Sequence, residues 1–261
     1  MSSKKTSGYN DAMITGIVIA IIVGLVAGLV VNYLADVLPE TRKLSQPVCK
    51  NCQKTIPWID YILFKPCPAC HKVKPVRNFL VAILMLVAAV LMWLLQPVIG
   101  FWLGMLVVMY FGLVMVIDME HRMVMHPVSI AGAVLGLAFG TWRHGLWMTL
   151  LGAATGFAIM LAIYYLGIAF VRYLSKKKSS IEAQEAIGFG DVNLSGVLGL
   201  FLGFPGIFLG LMLAIVLGGV ISLFILLVMV ARKEYKAFSA IPYAPFIALA
   251  GIILLLLART V

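Results

Sequence analysis

The chain has 261 residues, 63% of them hydrophobic and 11% charged, with a formal net charge of +10. A soluble domain carries about 25% charged residues, so this composition excludes a soluble globular enzyme. Its apolar residues fall in runs of the ~20 residues that cross a bilayer. The positive balance suits loops facing anionic lipid and calls for no nucleic-acid partner. In chain order, residues 1–11 form a polar tail containing Lys4 and Lys5. An apolar run at 12–34 follows; it is too long for a signal-peptide core, lacks a small-residue cleavage site and reads as the first span. Residues 39–77 are the one sizeable polar segment and hold all four cysteines. Further spans are expected at 78–95, 98–117, 127–142, 146–171, 192–204, 206–230 and 241–258. They are punctuated by Gln96-Pro97, Arg143-His144-Gly145 and Pro205-Gly206. The expected fold is an all-α polytopic membrane protein of about eight transmembrane helices. Its parts are 1–38, tail and first helix; 39–77, a cysteine loop; and 78–261, a membrane-embedded domain.

Loop charge predicts an orientation. Placing 39–77, 118–126, 172–191 and 231–240 inside puts 16 Lys and Arg on that side and leaves 4 outside: Lys4, Lys5, Arg143 and Arg259. Positive residues concentrate on the cytoplasmic side. The multi-pass chain is therefore expected with both termini out and the cysteine loop in the cytoplasm. Asp118 then closes the third span and Asp191 opens the sixth at one face, 73 positions apart in sequence.

A carboxylate at the mouth of a membrane helix is costly to keep there. Asp191 sits in Gly188-Phe189-Gly190-Asp191, where two glycines remove side chains and let another backbone, such as a substrate strand, come close. The blander reading is a glycine-rich turn with Asp191 as a helix N-cap. Two carboxylates sharing one proton can hydrolyse a peptide bond, one activating water and the other polarising the carbonyl. Glu120 is an alternative partner, but two positions on a helix point ~200° apart, so it would not face the site of Asp118. Alone, Asp118 and Glu120 read as a solvated pair at a helix end beside His121 and Arg122. Ser195 and Ser222 lack a base at their depth, and His121 and His126 read as interfacial rather than as bases or ligands.

Cys49-Lys50-Asn51-Cys52 and Cys67-Pro68-Ala69-Cys70 are two CxxC pairs separated by 14 residues. Four thiolates at that spacing suit one tetrahedral zinc held by two knuckles, a closed and therefore structural site. The alternative is disulfides, which a reducing cytoplasm disfavours. His71 is a possible substitute ligand. Trp58, Tyr61 and Phe64 are placed to pack on the loop or on the membrane surface, and Lys50, Lys54, Lys65, Lys72 and Lys74 to face headgroups.

Ile117-Asp118-Met119-Glu120-His121 with His126-Pro127, then Gly188-Phe189-Gly190-Asp191-Val192-Asn193-Leu194, resembles the type IV prepilin peptidase family. These are bacterial intramembrane aspartyl proteases with a Gly-x-Gly-Asp signature, which presenilin-like enzymes share. The cysteine loop and Pro242-Tyr243-Ala244-Pro245-Phe246 match in order, so the resemblance covers almost the whole chain. It implies that Asp118 and Asp191 are the catalytic pair, with Glu120 an accompanying acid. It implies an inner-membrane enzyme that removes short basic leaders from pilin and pseudopilin precursors of type IV pilus and type II secretion systems. In bifunctional members, S-adenosylmethionine then methylates the new N-terminus. The chain departs from the family at Asn193, where Lys is usual, and at Pro127-Val128, where Pro-Asp is usual. It departs again at Ala27-Gly28-Leu29-Val30-Val31-Asn32, which keeps part of a Gly-Ser-Phe-Leu-Asn stretch tied to methylation. Other classes compatible with the residues are a transporter or channel using the acids for protons or cations, and a zinc-loop scaffold of an assembly complex.

Overall fold

The computed structural model describes residues 3–175, 188–232 and 242–257. Lys176, Lys177 and Lys178 of the expected basic loop, and Lys233, Lys236 and Arg259 of the charge count, lie outside the described residues. The elements are α1 (Ser3–Thr41), α2 (Trp58–Ile62), α3 (Val76–Leu95), α4 (Phe101–His121), α5 (His126–His144), α6 (Leu146–Ser175), α7 (Phe189–Leu202), α8 (Gly206–Ala231) and α9 (Ala244–Leu257). Among the described residues there is no strand, only an isolated bridge between Val48 and Thr55. Every expected apolar run forms a helix, so the all-α reading holds. Among the described residues, five stretches are long and apolar enough to cross a membrane: Met13–Thr41, Val76–Leu95, Phe101–His121, Leu146–Ala169 and Gly206–Ala231. The helices α7 and α9 have 14 residues each, about 21 Å at 1.5 Å per residue, which is shorter than a ~30 Å hydrocarbon core.

The chain separates into two compact units, residues 1–113 and 114–261. In the first, α1 packs on α3 through small residues. A Cβ on Gly24 would come within 2.7 Å of the Leu86 Cα, and one on Gly28 within 2.8 Å of the Ala82 Cα. Lipid tails are as apolar as leucine side chains, so membrane helices associate through such close backbone approach. Residues 3–11, expected as a polar tail, are helical, and α1 continues past the predicted end at 34 to Thr41. Its extension carries Asp36, which accepts hydrogen bonds from Arg77 Nη2 at 2.6 Å, Tyr61 Oη at 2.6 Å and Asn78 Nδ2 at 3.2 Å. These partners arrive from α3 and the cysteine loop and let a carboxylate stay in a helix that would otherwise end before it.

In the second unit α7 is the central helix. Val192, Leu194, Ser195, Val197, Leu198, Leu200, Phe201 and Leu202 are all buried, and α5, α6, α8 and α9 all pack against it. A Cβ on Gly140 of α5 would lie 2.1 Å from the Leu200 O. One on Gly152 would lie 2.4 Å from the Gly199 O, and one on Gly156 2.5 Å from the Ser195 O, both on α6. Glycines four apart on α6 form one stripe, so α7 is gripped by backbone on two sides. The expected breaks are where helices end: Gly145 has φ +80 between α5 and α6, and Gly203 has φ +66 after α7.

Candidate active site and metal centre

Asp191 lies in the first turn of α7. The helix N-cap is Gly188, not Asp191, and the Asp191 N–H donates to the Gly188 O at 3.0 Å. The capping reading of Asp191 therefore fails: its carboxyl is free for other partners and is 7% exposed. Ser195 Oγ donates to the Asp191 main-chain O at 2.8 Å; this fully buried hydroxyl is spent on the helix. Asp118 is in the last turn of α4 and 4% exposed, whereas Glu120, two positions on, is exposed beside His121 at 3.7 Å. The helical continuation to His121 is the reason: it turns Glu120 away from the buried face. His126 opens α5 on the exposed side.

The two aspartates lie within electrostatic range of one another. Arg122 acts on Asp118 in the same way, and Asp191 acts on the Tyr243 hydroxyl. Among the described residues Asp118 Oδ2 is buried without a hydrogen-bond donor. A buried acceptor left unpaired is costly, and a shared proton or an attacking water would satisfy it. Two buried aspartates are therefore the candidates for acid–base work in this unit. Tyr243 is the residue that sequence reasoning quoted without giving it a role. It packs with Phe246 against Gly218, whose Cβ would lie 3.2 Å from each ring, and its position in Pro242-Tyr243-Ala244-Pro245-Phe246 was the signal available.

Gly188 and Gly190 behave differently. A Cβ on Gly188 would meet nothing nearer than 3.9 Å, leaving that side open. One on Gly190 would sit 2.9 Å from the Val124 Cβ and 3.2 Å from the Val124 N. The space beside Gly190 is filled by the chain's own 123–125 segment. Tyr164 of α6 stacks edge-on against Phe189 with centroids 5.9 Å apart.

The cysteine loop of the first unit repeats one local geometry twice. Cys49 N–H donates to Lys54 O at 2.9 Å and Gln53 N–H to Cys49 O at 2.9 Å. Likewise Cys67 N–H donates to Lys72 O at 3.1 Å and His71 N–H to Cys67 O at 2.9 Å. Gln53 and His71, each just after the second cysteine of its pair, turn the chain at φ 58 and φ 51. His71 is thus a turn residue, and the cluster that could hold a metal ion is the four cysteines. Their sulfurs lie within 4.8 Å of one another, with Cys49–Cys70 and Cys52–Cys67 at 3.6 Å, and all are free thiols. Tetrahedral ligands at ~2.3 Å from a zinc are ~3.8 Å apart, so the set fits a metal ion of that size. The N–H groups of Ala69 and then Cys70 pull the Cys67 thiol down to about 6, favouring the thiolate that binds metal. Behind the sulfurs, Ile56 and Tyr61 are buried with Cys49 and Cys67, and Tyr33 packs against them.

Residues 105–223 match the model of the type IV leader peptidase family. A prepilin leader peptidase/N-methyltransferase of Pseudomonas putida is 29% identical over 135 residues, covering 52% of this chain and 42% of that protein. A protein of the same name from Stutzerimonas stutzeri is 26% identical over 146 residues, covering 54% of this chain and 44% of its own length. The chain thus spans less than half the length of these relatives. No solved structure matches.

Proposed function

We propose that this chain, whose residues 105–223 match the model of the type IV leader peptidase family, is an intramembrane aspartic endopeptidase that removes the basic leader from pilin-like precursors. The observation that supports this most is the pair Asp118 and Asp191: both are buried, and Asp118 acts electrostatically on Asp191 although 73 positions separate them. With one shared proton, one carboxylate accepts a proton from water as its oxygen adds to the scissile carbonyl. The other donates its proton to the carbonyl oxygen. The resulting diol collapses: the C–N bond breaks, the leaving nitrogen takes the proton from the first carboxyl, and a diol hydroxyl returns one to the second. The precursor is an inserted helix with a positive leader. The loop charge split supports cleavage at the cytoplasmic face of a bacterial inner membrane, where anionic lipid lies.

The four cysteines are proposed to hold one structural zinc; bound there, it closes the loop without taking part in hydrolysis. The relatives' printed names support extending the proposal to N-methylation of the new N-terminus, with S-adenosylmethionine as donor. Asn32, the last residue of the stretch resembling the methylation-linked segment, is 0% exposed and donates to Asn78 O at 2.8 Å. Its side chain is enclosed by the protein, so this stretch does not present it to a nucleoside.

The test is leader removal from a co-expressed precursor, read by gel shift. Asp118→Asn and Asp191→Asn should each abolish the shift while the protein accumulates in the membrane; normal processing by either variant refutes the pair. Glu120→Gln should process normally. Thiol labelling at positions 96 and 180, in a variant without the native cysteines, tests sidedness: 96 should label from outside intact cells and 180 only after lysis.

A further inference from the structure

We infer that the 123–125 segment between α4 and α5 is the edge on which the substrate's main chain is held as an added strand beside the two aspartates. The inference rests on the peptidase reading. Arg122, at φ 51, turns the chain out of α4, and its N–H closes that helix on the Asp118 O at 2.8 Å. Met125, the α5 N-cap, is extended at φ −77, ψ 141. Between them, among the described residues, neither Met123 nor Val124 makes a backbone hydrogen bond. Met123 is 51% exposed. The segment lies directly against the Asp191 turn, since a Cβ on Gly190 would fall 3.2 Å from the Val124 N. Asp118 is five residues before Met123 and acts on Asp191 electrostatically. A short non-helical stretch in which Met123 and Val124 make no backbone hydrogen bond therefore adjoins the turn that bears one aspartate and follows closely on the other.

Substrate chemistry needs such an edge. A helical precursor uses its carbonyls in i to i−4 hydrogen bonds, so attack on one of them requires the helix to unwind at the cut. The freed N–H and C=O groups find no water in an apolar surround and must be paired. An extended peptide added to an open edge pairs them, with the main chain supplying affinity and alternate side chains supplying selectivity. Val114, Ile117, Met123, Val124, Met125 and Val128 line an apolar surface beside the segment, in a hollow too shallow to enclose a side chain. Gly190, with no side chain, lets Val124 lie close to the Asp191 turn.

Single N-methylations along a synthetic precursor peptide, from three residues before the cut to three after, test the inference with the purified full-length enzyme. A strand bonds one edge only through every second residue. Cleavage should fall roughly tenfold at alternate positions, the worth of one hydrogen bond, and stay within about twofold at the positions between. Val124→Pro, which lacks the N–H, should raise KM roughly tenfold with kcat little changed; Val124→Ala keeps the N–H and should stay nearer the parent. Uniform tolerance of N-methylation, or equal KM for a folded Val124→Pro and Val124→Ala, overturns the edge while leaving the peptidase reading intact. Failure to cut the unmodified peptide removes the peptidase reading and the edge with it. If Val124→Pro does not fold, the N-methyl scan decides alone.

Discussion

Gly199→Ala adds one methyl group to the buried side of α7, eight residues beyond Asp191. The new Cβ would lie 2.2 Å from the Gly152 O, 2.5 Å from the Gly152 C and 2.8 Å from the Ala153 N, where ordinary contact begins near 3.4 Å. All three atoms are backbone of α6, so no rotamer change can relieve the clash. The two helices must part by about 1.2 Å at that level, the difference between 3.4 and 2.2 Å. Overpacking of this kind costs about 1–3 kcal/mol. The helix is rigid over the ~12 Å from Gly199 to Asp191, so the carboxyl moves with it. A misplacement of ~1 Å in a catalytic group can lower the rate about 100-fold. Gly167→Ala is the control, since nothing lies within 4 Å of a Cβ there. It should be neutral or gain up to ~1 kcal/mol from helix propensity. Precursor cleavage rates and thermal unfolding in detergent separate the two variants, which are the same chemical change with opposite expected signs. Equal rates and equal melting temperatures for Gly199→Ala and Gly167→Ala would refute the claim that backbone contact between α6 and α7 places Asp191.

Other expectations concern the first unit. Asp36→Asn leaves Arg77, 15% exposed and 2.6 Å from the carboxylate, without its counter-charge, and should destabilise the unit by about 3 kcal/mol. Tyr61→Phe, which removes one hydrogen bond to the same carboxylate, should cost about 1 kcal/mol; thermal unfolding distinguishes them. Metal analysis should find about one zinc per chain, lost in the Cys49→Ser, Cys52→Ser double variant. His71→Gly should retain it, because that residue supplies a φ of 51 rather than a ligand. Lys74 Nζ donates to Tyr61 O at 2.7 Å and lies 3.3 Å over the Tyr61 ring; burial, with Arg77 adding to it, pulls its pKa down to about 8. The folded state then binds fewer protons than the unfolded one between pH 8 and about 10.5, so this lysine favours folding more as pH rises through that window. Acylation by an amine-reactive reagent at pH 8 should mark Lys74 ahead of Lys54 and Lys72.

Much of the candidate site was legible because it rests on local rules. Apolar runs of bilayer length must be helices, since a lipid-exposed backbone has no other way to pair its own polar groups. Gly145 and Gly203 mark helix ends because they take positive φ without strain. Two CxxC pairs bring four sulfurs together because each knuckle closes on itself, Cys49 with Lys54 and Cys67 with Lys72. The separation of Asp118 from Glu120 follows from helical periodicity alone. What stayed hidden depends on contacts between residues far apart in sequence. The helix α1 runs on through Asp36, whose carboxylate meets Arg77, 41 positions later. Gly188 and Gly190 look alike in the sequence, yet one faces open space and the other faces Val124, 66 positions earlier. The burial of α7 on nearly all sides is invisible in its composition, which is less apolar than that of α8, whose middle and far end are largely exposed. Periodicity and spacing therefore determined which segments are helical and which residues are candidates for chemistry. Which of those residues meet was decided by close backbone packing, because a glycine's neighbours are set by the helix that comes to lie against it.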